Sequence, residues 1–386
     1  MDCKAVVGLY GISGSGKSRA LSLLRDARPE WCCLEGTQVI EDVLKVRGES
    51  LTDFRAMEDA TKAQIRKSAI QVIQERRGMT IVSGHCSFPE DSANKEEILF
   101  RNVFSEGDGE TYDAILYLDR DVDTIYSQRH QDNECSRRTR PDLHVSILKK
   151  WILYEKQILE NMCKQHGIYF ALIPDTEGSE CIDDILSLVA EHVLAPKIAN
   201  ARVASEVNLK KVLGTLPSAN MYLLIDGDRT LVEQDTGMVF LENMILPSVS
   251  NGDPLKQIFQ RHPGYNFASF FEVAMYYANI MPTQEYQELS ARIGRDLIEI
   301  QDQWVKFLDN LPADVHPIIV TSGNREVYEE LIRRTPSLAR KASLVAGNHI
   351  HLHEYLVDSN AKGMVVHELR KLHGGCKILS FGDSCK

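Results

Sequence analysis

Ala5-Val6-Val7-Gly8-Leu9-Tyr10-Gly11-Ile12-Ser13-Gly14-Ser15-Gly16-Lys17-Ser18 decides the reading of the first half of the chain. An apolar run from Ala5 to Tyr10 reads as a strand, and the residues after it fit G-x-x-x-x-G-K-S/T at every fixed position. Helical periodicity follows from Lys17 to about Ala27. A strand, a glycine-rich turn and a helix in that order aim main-chain N–H groups and a helix N-terminus at one point, which suits a bound phosphate. Gly11, Ser13, Gly14, Ser15 and Gly16 are the expected cradle for ATP. Lys17 is expected to reach the β and γ oxygens, and the Ser18 hydroxyl to ligate Mg²⁺.

Working outward, strand and helix patterns alternate. Trp31–Leu34, Met79–Ser83, Ala114–Leu118 and Tyr169–Ile173 read as strands, Leu51–Arg77 and Ile182–Val193 as helical. The segment holding Glu106, Gly107, Asp108 and Gly109 reads as a loop. Beyond Ala195-Pro196 a polar stretch places a domain boundary near residues 196 to 215. A second series opens with a strand at Tyr222–Ile225, makes a helical detour over about 235 to 311, and returns in strands at Pro317–Val320, Ser343–Val345 and Lys377–Phe381. Such a detour between strands of one sheet predicts an inserted cap. The expected fold class is α/β: two doubly wound parallel-sheet domains, residues 1–200 and 215–386, the second carrying the cap.

The 386 residues exceed what one core usually serves, while 43% hydrophobic and 26% charged residues are ordinary for globular domains. A net charge of −11 argues against broad affinity for nucleic acid or anionic membrane, so phosphate sites have to be local. The start lacks the long apolar stretch of a signal peptide or membrane span, and a cytoplasmic location is expected. The nine cysteines are scattered, without a Cys-x-x-Cys pair, and read as reduced thiols.

Candidates for the other half of a phosphoryl-transfer site stand after later strands. Glu35 is a carboxylate for an acceptor hydroxyl or Mg²⁺, or a loop acid. Ser83-Gly84-His85 ends the third strand, which lacks the expected Walker B carboxylate; His85 is either an acceptor contact or a polar surface group. Arg129 precedes the cluster Arg137-Arg138-Thr139-Arg140-Pro141. Over about residues 4 to 195 this organisation resembles the adenylate kinase-like small-molecule and nucleotide kinases. The resemblance implies that Arg137 and Arg138 clamp the ATP phosphates from a lid.

In the second half, Tyr222-Leu-Leu-Ile-Asp226-Gly227-Asp228-Arg229-Thr230-Leu231 carries D-x-D-x-T/V-L directly after an apolar strand. Asp226 at the strand tip can attack phosphorus, and Asp228 can protonate the leaving oxygen and later activate water. Ser322, in Thr321-Ser322-Gly323-Asn324, Lys362, and Asp383, after Gly382, follow in order. This set resembles the haloacid dehalogenase phosphatases of the phosphoserine phosphatase branch. It implies that Ser322 holds a phosphoryl oxygen, Lys362 neutralises the phospho-aspartate, and Asp226, Asp228 and Asp383 hold Mg²⁺. Arg229 and Phe270-Phe271-Glu272 are either substrate-selecting contacts or packing and surface residues.

The expected activity is thus bifunctional: an ATP-dependent kinase for a small molecule or nucleotide, joined to a Mg²⁺-dependent phosphomonoesterase. One alternative is nucleic-acid end processing, since the order resembles the phage polynucleotide kinase-phosphatases; another is a degenerate nucleotide-sensing or scaffold module. The haloacid dehalogenase phosphatases usually have a further acid a few residues after the equivalent of Asp383. The chain is therefore expected to be part of a longer polypeptide, similar to fungal multidomain proteins with a uracil phosphoribosyltransferase-like third domain. His349, His351 and His353 alternate on a possible strand, as an edge surface or at metal-ligand spacing.

Overall fold

Strands β1 (Ala5–Tyr10), β2 (Cys32–Glu35) and β3 (Met79–Ser83) are followed by a short antiparallel pair, β4 (Ser87–Pro89) and β5 (Phe100–Asn102), then by β6 (Ala114–Leu118) and β7 (Tyr169–Ile173). This computed structural model describes residues 4–90, 99–134, 143–175, 178–244, 254–261, 265–347 and 355–382. It divides between Pro196 and Lys197 into two compact units, each described by itself.

In the first unit the sheet order is β2-β3-β1-β6-β7, every neighbour parallel. The central strand β1 is buried along its whole length, which is why it reads as a continuous apolar run and not as an alternating one. Helices α1 (Lys17–Ala27), α2 (Gly36–Val46), α3 (Leu51–Ala56), α4 (Asp59–Glu75), α5 (Glu106–Gly109), α6 (Val122–Glu134), α7 (Val145–His166) and α8 (Ser179–Val189) intervene. Val6, Val82, Ile115 and Tyr117 pack on one face against Val39 of α2, Ile70 and Ile73 of α4 and Leu159 of α7. Ala5, Val7 and Leu9 point the other way along the pleat and are equally buried.

Three expectations are corrected. The segment 106–109 is a single helical turn because Ser105 and Asp108 form a capping box that outweighs its glycines. The helical region 51–77 is two helices, broken at Met57, whose ψ of 159° is extended. The polar stretch near 196–215 is α9 (Ala195–Gly214), entered through a π turn at Ala190–Leu194. Pro196 has no N–H to continue the α-helical ladder, and a widened turn ahead of it accommodates that loss.

The second unit holds β8 (Met221–Ile225), β9 (Val315–Thr321), β10 (Ser343–Ala346) and β11 (Lys377–Phe381) in the order β10-β9-β8-β11, all parallel. Leu223, Ile225 and Ile319 face one core, Tyr222, Leu224, Ile318 and Val320 the other. Between β8 and β9 lie α10 (Thr236–Asn243), α11 (Pro254–Arg261), α12 (Phe267–Ile280), α13 (Thr283–Arg292) and α14 (Asp302–Asp309). After β9 come α15 (Arg325–Arg334), α16 (Pro336–Lys341) and α17 (Ser359–Leu372). Among the described residues no helix is long and apolar enough to cross a membrane. Arg137, Arg138, Asp383 and the histidines at 349, 351 and 353 lie outside them.

Candidate active sites

β1 runs straight into the phosphate loop, where Gly11, Gly14 and Gly16 have φ of 150°, 100° and 87°. Gly11 is doubly constrained, since a Cβ there would also stand 2.6 Å from Ser15 Oγ. Ser15 N donates to the Ile12 carbonyl at 3.1 Å, and Ala20 N to that of Gly16 at 3.0 Å, so the loop closes directly into α1. The buried Lys17 ammonium donates to the carbonyls of Gly11 at 2.5 Å and Ile12 at 3.0 Å. A second cation is at the loop: Arg129 of α6, buried, donates Nη1 to the Ser13 carbonyl at 3.1 Å.

Glu35 and Ser83 are register partners at the carboxyl ends of β2 and β3, and the Ser83 hydroxyl donates to Glu35 Oε2 at 2.9 Å. His85 lies just beyond, its ring 5.3 Å from that of Phe88. A buried acid holds the turn that leaves β3. Glu155 of α7 is 0% exposed, and its Oε1 accepts from Cys86 N at 3.2 Å, Ser87 N at 2.9 Å and Ser87 Oγ at 3.2 Å. The Trp151 indole donates to the same Ser87 oxygen at 2.9 Å. Burial raises the Glu155 carboxyl above its ordinary range, opposed first by the Lys17 charge and then by these donors. Its Oε2 has no hydrogen-bond partner among the described residues. Glu155 escaped the sequence reading, yet it left a trace: it is an acid inside the buried stripe Leu148, Trp151, Ile152, Glu155, Leu159.

In the second unit Asp226 follows β8, its N–H donating to the Phe381 carbonyl of β11 at 2.9 Å. Its Oδ1 accepts from Gly227 N at 2.8 Å, and its Oδ2 from Lys362 Nζ, in the first turn of α17, at 2.7 Å. A π turn over Gly227–Leu231 then carries Asp228 inward. Asp228 Oδ1 accepts from the Tyr328 hydroxyl of α15 at 2.6 Å, and Oδ2 from the Thr236 hydroxyl of α10 at 3.2 Å. Burial pushes the Asp228 carboxyl up to about 6, against the pull of those hydrogen bonds.

Ser322 lies between β9 and α15, next to Gly323, where a Cβ would meet Asp228 Oδ1 at 2.9 Å. Gly382 passes Asp226 closely enough that a Cβ would sit 3.8 Å from the aspartate Cβ. Arg229 is left-handed at φ 57° and pairs with Asp235 at 3.2 Å on the surface. Phe270, Phe271 and Glu272 are buried, and Glu272 pairs with Arg261 at 3.1 Å, so these three pack within the helical insertion. Tyr328 and Thr236 were invisible in the sequence, because each comes from a helix outside the aspartate motif. Among the described residues no cluster of three or more His, Cys, Asp or Glu forms. Asp226 and Asp228 supply hard carboxylate oxygens, the donor type that Mg²⁺ takes.

A family model described as an AAA domain matches residues 10–147. No curated protein matches the chain. Among solved structures, shikimate kinase from Bacteroides thetaiotaomicron is 12% identical over 48% of this chain and 98% of its own, with a TM-score of 0.34. A gluconokinase from Sinorhizobium meliloti 1021 is 17% identical over 49% of this chain and 94% of its own, at 0.28. A chain of the Pnkp1/Rnl/Hen1 RNA repair complex is 14% identical over 100% of this chain and 98% of its own, at 0.29. Scores this low carry no argument. The match to an AAA domain and the geometry of the loop agree that the amino-terminal unit carries a P-loop.

Two predictions follow from the buried acids. Glu155→Ala strips the acceptor from two main-chain N–H groups and a hydroxyl, and should lower the unfolding free energy by roughly 2–4 kcal/mol in urea titrations, with Glu155→Gln losing less. An unchanged midpoint in the alanine variant would contradict the buried network. For Asp228 the folded carboxyl holds its proton above the unfolded value of 3.8, up to about 6. Its contribution is therefore fully present below pH 3.8 and is lost as pH rises through about 6. Between pH 4 and 7 the unfolding free energy should fall by about 2 kcal/mol more in the wild type than in Asp228→Asn; parallel profiles would argue against a proton-holding Asp228.

Proposed function

We propose that the chain is a two-site phosphate-transfer protein, in which the amino-terminal domain passes the γ-phosphoryl group of ATP to a small-molecule acceptor and the carboxyl-terminal half hydrolyses a small phosphomonoester. The observation that carries the reading is common to both units: charged groups gather at the carboxyl ends of adjacent parallel strands, where open α/β sheets bind their ligands. In the first unit these are the loop after β1, with Lys17 and Arg129, and the Glu35–Ser83 pair. In the second they are Asp226 after β8, Lys362 and Asp228.

For the kinase step, Lys17, Arg129 and the N–H groups of the loop offset charge on the transferring phosphoryl group, and Glu35 orients the acceptor hydroxyl. Ser18 supplies a hydroxyl oxygen suited to Mg²⁺ beside the triphosphate. For the hydrolase, Asp226 attacks phosphorus while the bond to the ester oxygen breaks, and Asp228 gives that oxygen its proton. Asp228, now a carboxylate, then takes a proton from the water that attacks the phospho-aspartate, which returns Asp226 and releases phosphate. A carboxyl near 6 holds a proton often enough at neutral pH for the first step and loses it for the second. Lys362 offsets the charge on Asp226 throughout, and Ser322 is assigned to a phosphoryl oxygen. Mg²⁺ bound through Asp226, Asp228 and Asp383 would add positive charge against the phosphoryl oxygens.

Phosphate release from a panel of small phosphomonoesters with Mg²⁺, run on the wild type and Asp226→Asn side by side, tests the hydrolase half. Turnover should fall by about four orders of magnitude or more in the variant, whereas retained turnover would sink the nucleophile assignment. For the other half, Lys17→Ala should weaken ATP binding roughly ten- to hundredfold by equilibrium titration. ATP affinity untouched by that substitution would count against the phosphate-loop reading.

A further inference from the structure

A cavity of about 290 Å³ opens in the first unit between the first half of α4 and β5, lined by Asp59, Arg66, Arg101, Asn102, Phe104 and Ser105 among others. Its charge is unbalanced. Arg101 Nη1 pairs with Asp59 Oδ1, and Lys62 shares the same carboxylate at 4.0 Å. Arg66 pairs with no carboxylate among the described residues: its guanidinium lies over the Phe54 ring at 5.5 Å, and burial and then the Arg101 charge lower its hold on its proton, against the pull of Asp59 and Asp108. The next acid, Asp108, is buried and already accepts from Ser105 N at 2.8 Å and Ser105 Oγ at 2.5 Å. Arg101 Nε is buried without a hydrogen-bond partner among the described residues. Around this small cavity Arg66, Arg101 and Lys62 outnumber the one carboxylate they share, that of Asp59, a local excess of positive charge that attracts an anion.

The cavity is joined to the phosphate edge of the sheet. Asn102 Oδ1 accepts from Phe104 N at 2.9 Å and lies 3.5 Å from Cys86 Sγ, and Val103 N donates to the Cys86 carbonyl at 2.7 Å. Cys86 follows Ser83 and His85 at the tip of β3, and its N–H is held by Glu155, which feels the charge of Lys17. The turn after β3 thus braces the cavity wall, and its anchor Glu155 lies within reach of the Lys17 charge.

We propose that this cavity receives an anionic group, phosphate or carboxylate, of the molecule that the kinase-like domain phosphorylates, with Arg66 and Arg101 as its ligands. The proposal rests on the kinase reading of the first unit, and it narrows the acceptor to a small molecule that already carries negative charge. The volume suits one compact anionic group. Guanidinium forks match either anion bidentately.

The test is calorimetric titration of the full chain, saturated with Mg²⁺ and ADP, with inorganic phosphate and separately with succinate. Wild type, Arg66→Gln, Arg101→Gln and the control Lys67→Gln, an exposed cation on the same helix, are compared. Either arginine substitution should weaken phosphate or succinate at least about tenfold, leave ADP affinity unchanged and preserve the urea midpoint, while the control matches wild type. The anion that responds identifies the source of the charge. If ADP binds but neither anion distinguishes the arginine variants from wild type, the proposal is overturned and the kinase reading survives. If the variants lose anion binding but the wild type fails to bind ADP, the kinase reading falls, and the assignment of the anion to an acceptor falls with it.

Discussion

Burying a carboxylate is costly unless donors surround it, and the amino-terminal unit is organised around one such carboxylate. Glu155 gathers the N–H groups of Cys86 and Ser87 and the Ser87 hydroxyl onto one oxygen. That fixes the turn leaving β3, and the turn in turn presents the Cys86 carbonyl to Val103 and so anchors β5. The long helix α7, the hairpin strands and the phosphate edge therefore share a polar tie through the core. Lys17 contributes from the loop side, so the charge of the phosphate loop and the packing of α7 are not independent.

The carboxyl-terminal unit solves a related problem with a different balance. Asp226 keeps a cation against it, Lys362 at 2.7 Å, while Asp228 accepts from neutral donors, the hydroxyls of Tyr328 and Thr236. Two aspartates separated by one residue thus meet contrasting surroundings, because the π turn after β8 swings the second of them inward.

Much of the framework was legible because its signals are contiguous. β1, α1, β3, β6, β7 and β11 span the residues that hydrophobic runs alone indicated, and the phosphate loop occupies consecutive positions. Legibility failed where local composition competed with a specific interaction. The glycines at 107 and 109 suggested a loop, but the Ser105–Asp108 box closes a turn; the polar stretch near 200 looked like a linker, yet Ala201, Leu209 and Leu213 put one face of α9 into contact with buried surroundings. At the sites, what was missed is what arrives from far along the chain. Glu155 is 69 residues from Cys86, and Tyr328 is 100 from Asp228. No spacing rule connects such partners before the sheet brings them together.

Thr236 has a double engagement. Its hydroxyl donates to Asp228 at 3.2 Å and accepts from Asn324 N at 3.2 Å, and it is the first residue of α10, where the helical insertion begins. Displacing α10 would withdraw a donor from the carboxylate, which favours the proton, and would also admit water, which favours the charge. The two effects oppose each other. The acid strength of Asp228 therefore depends on where α10 sits, through two effects of opposite sign.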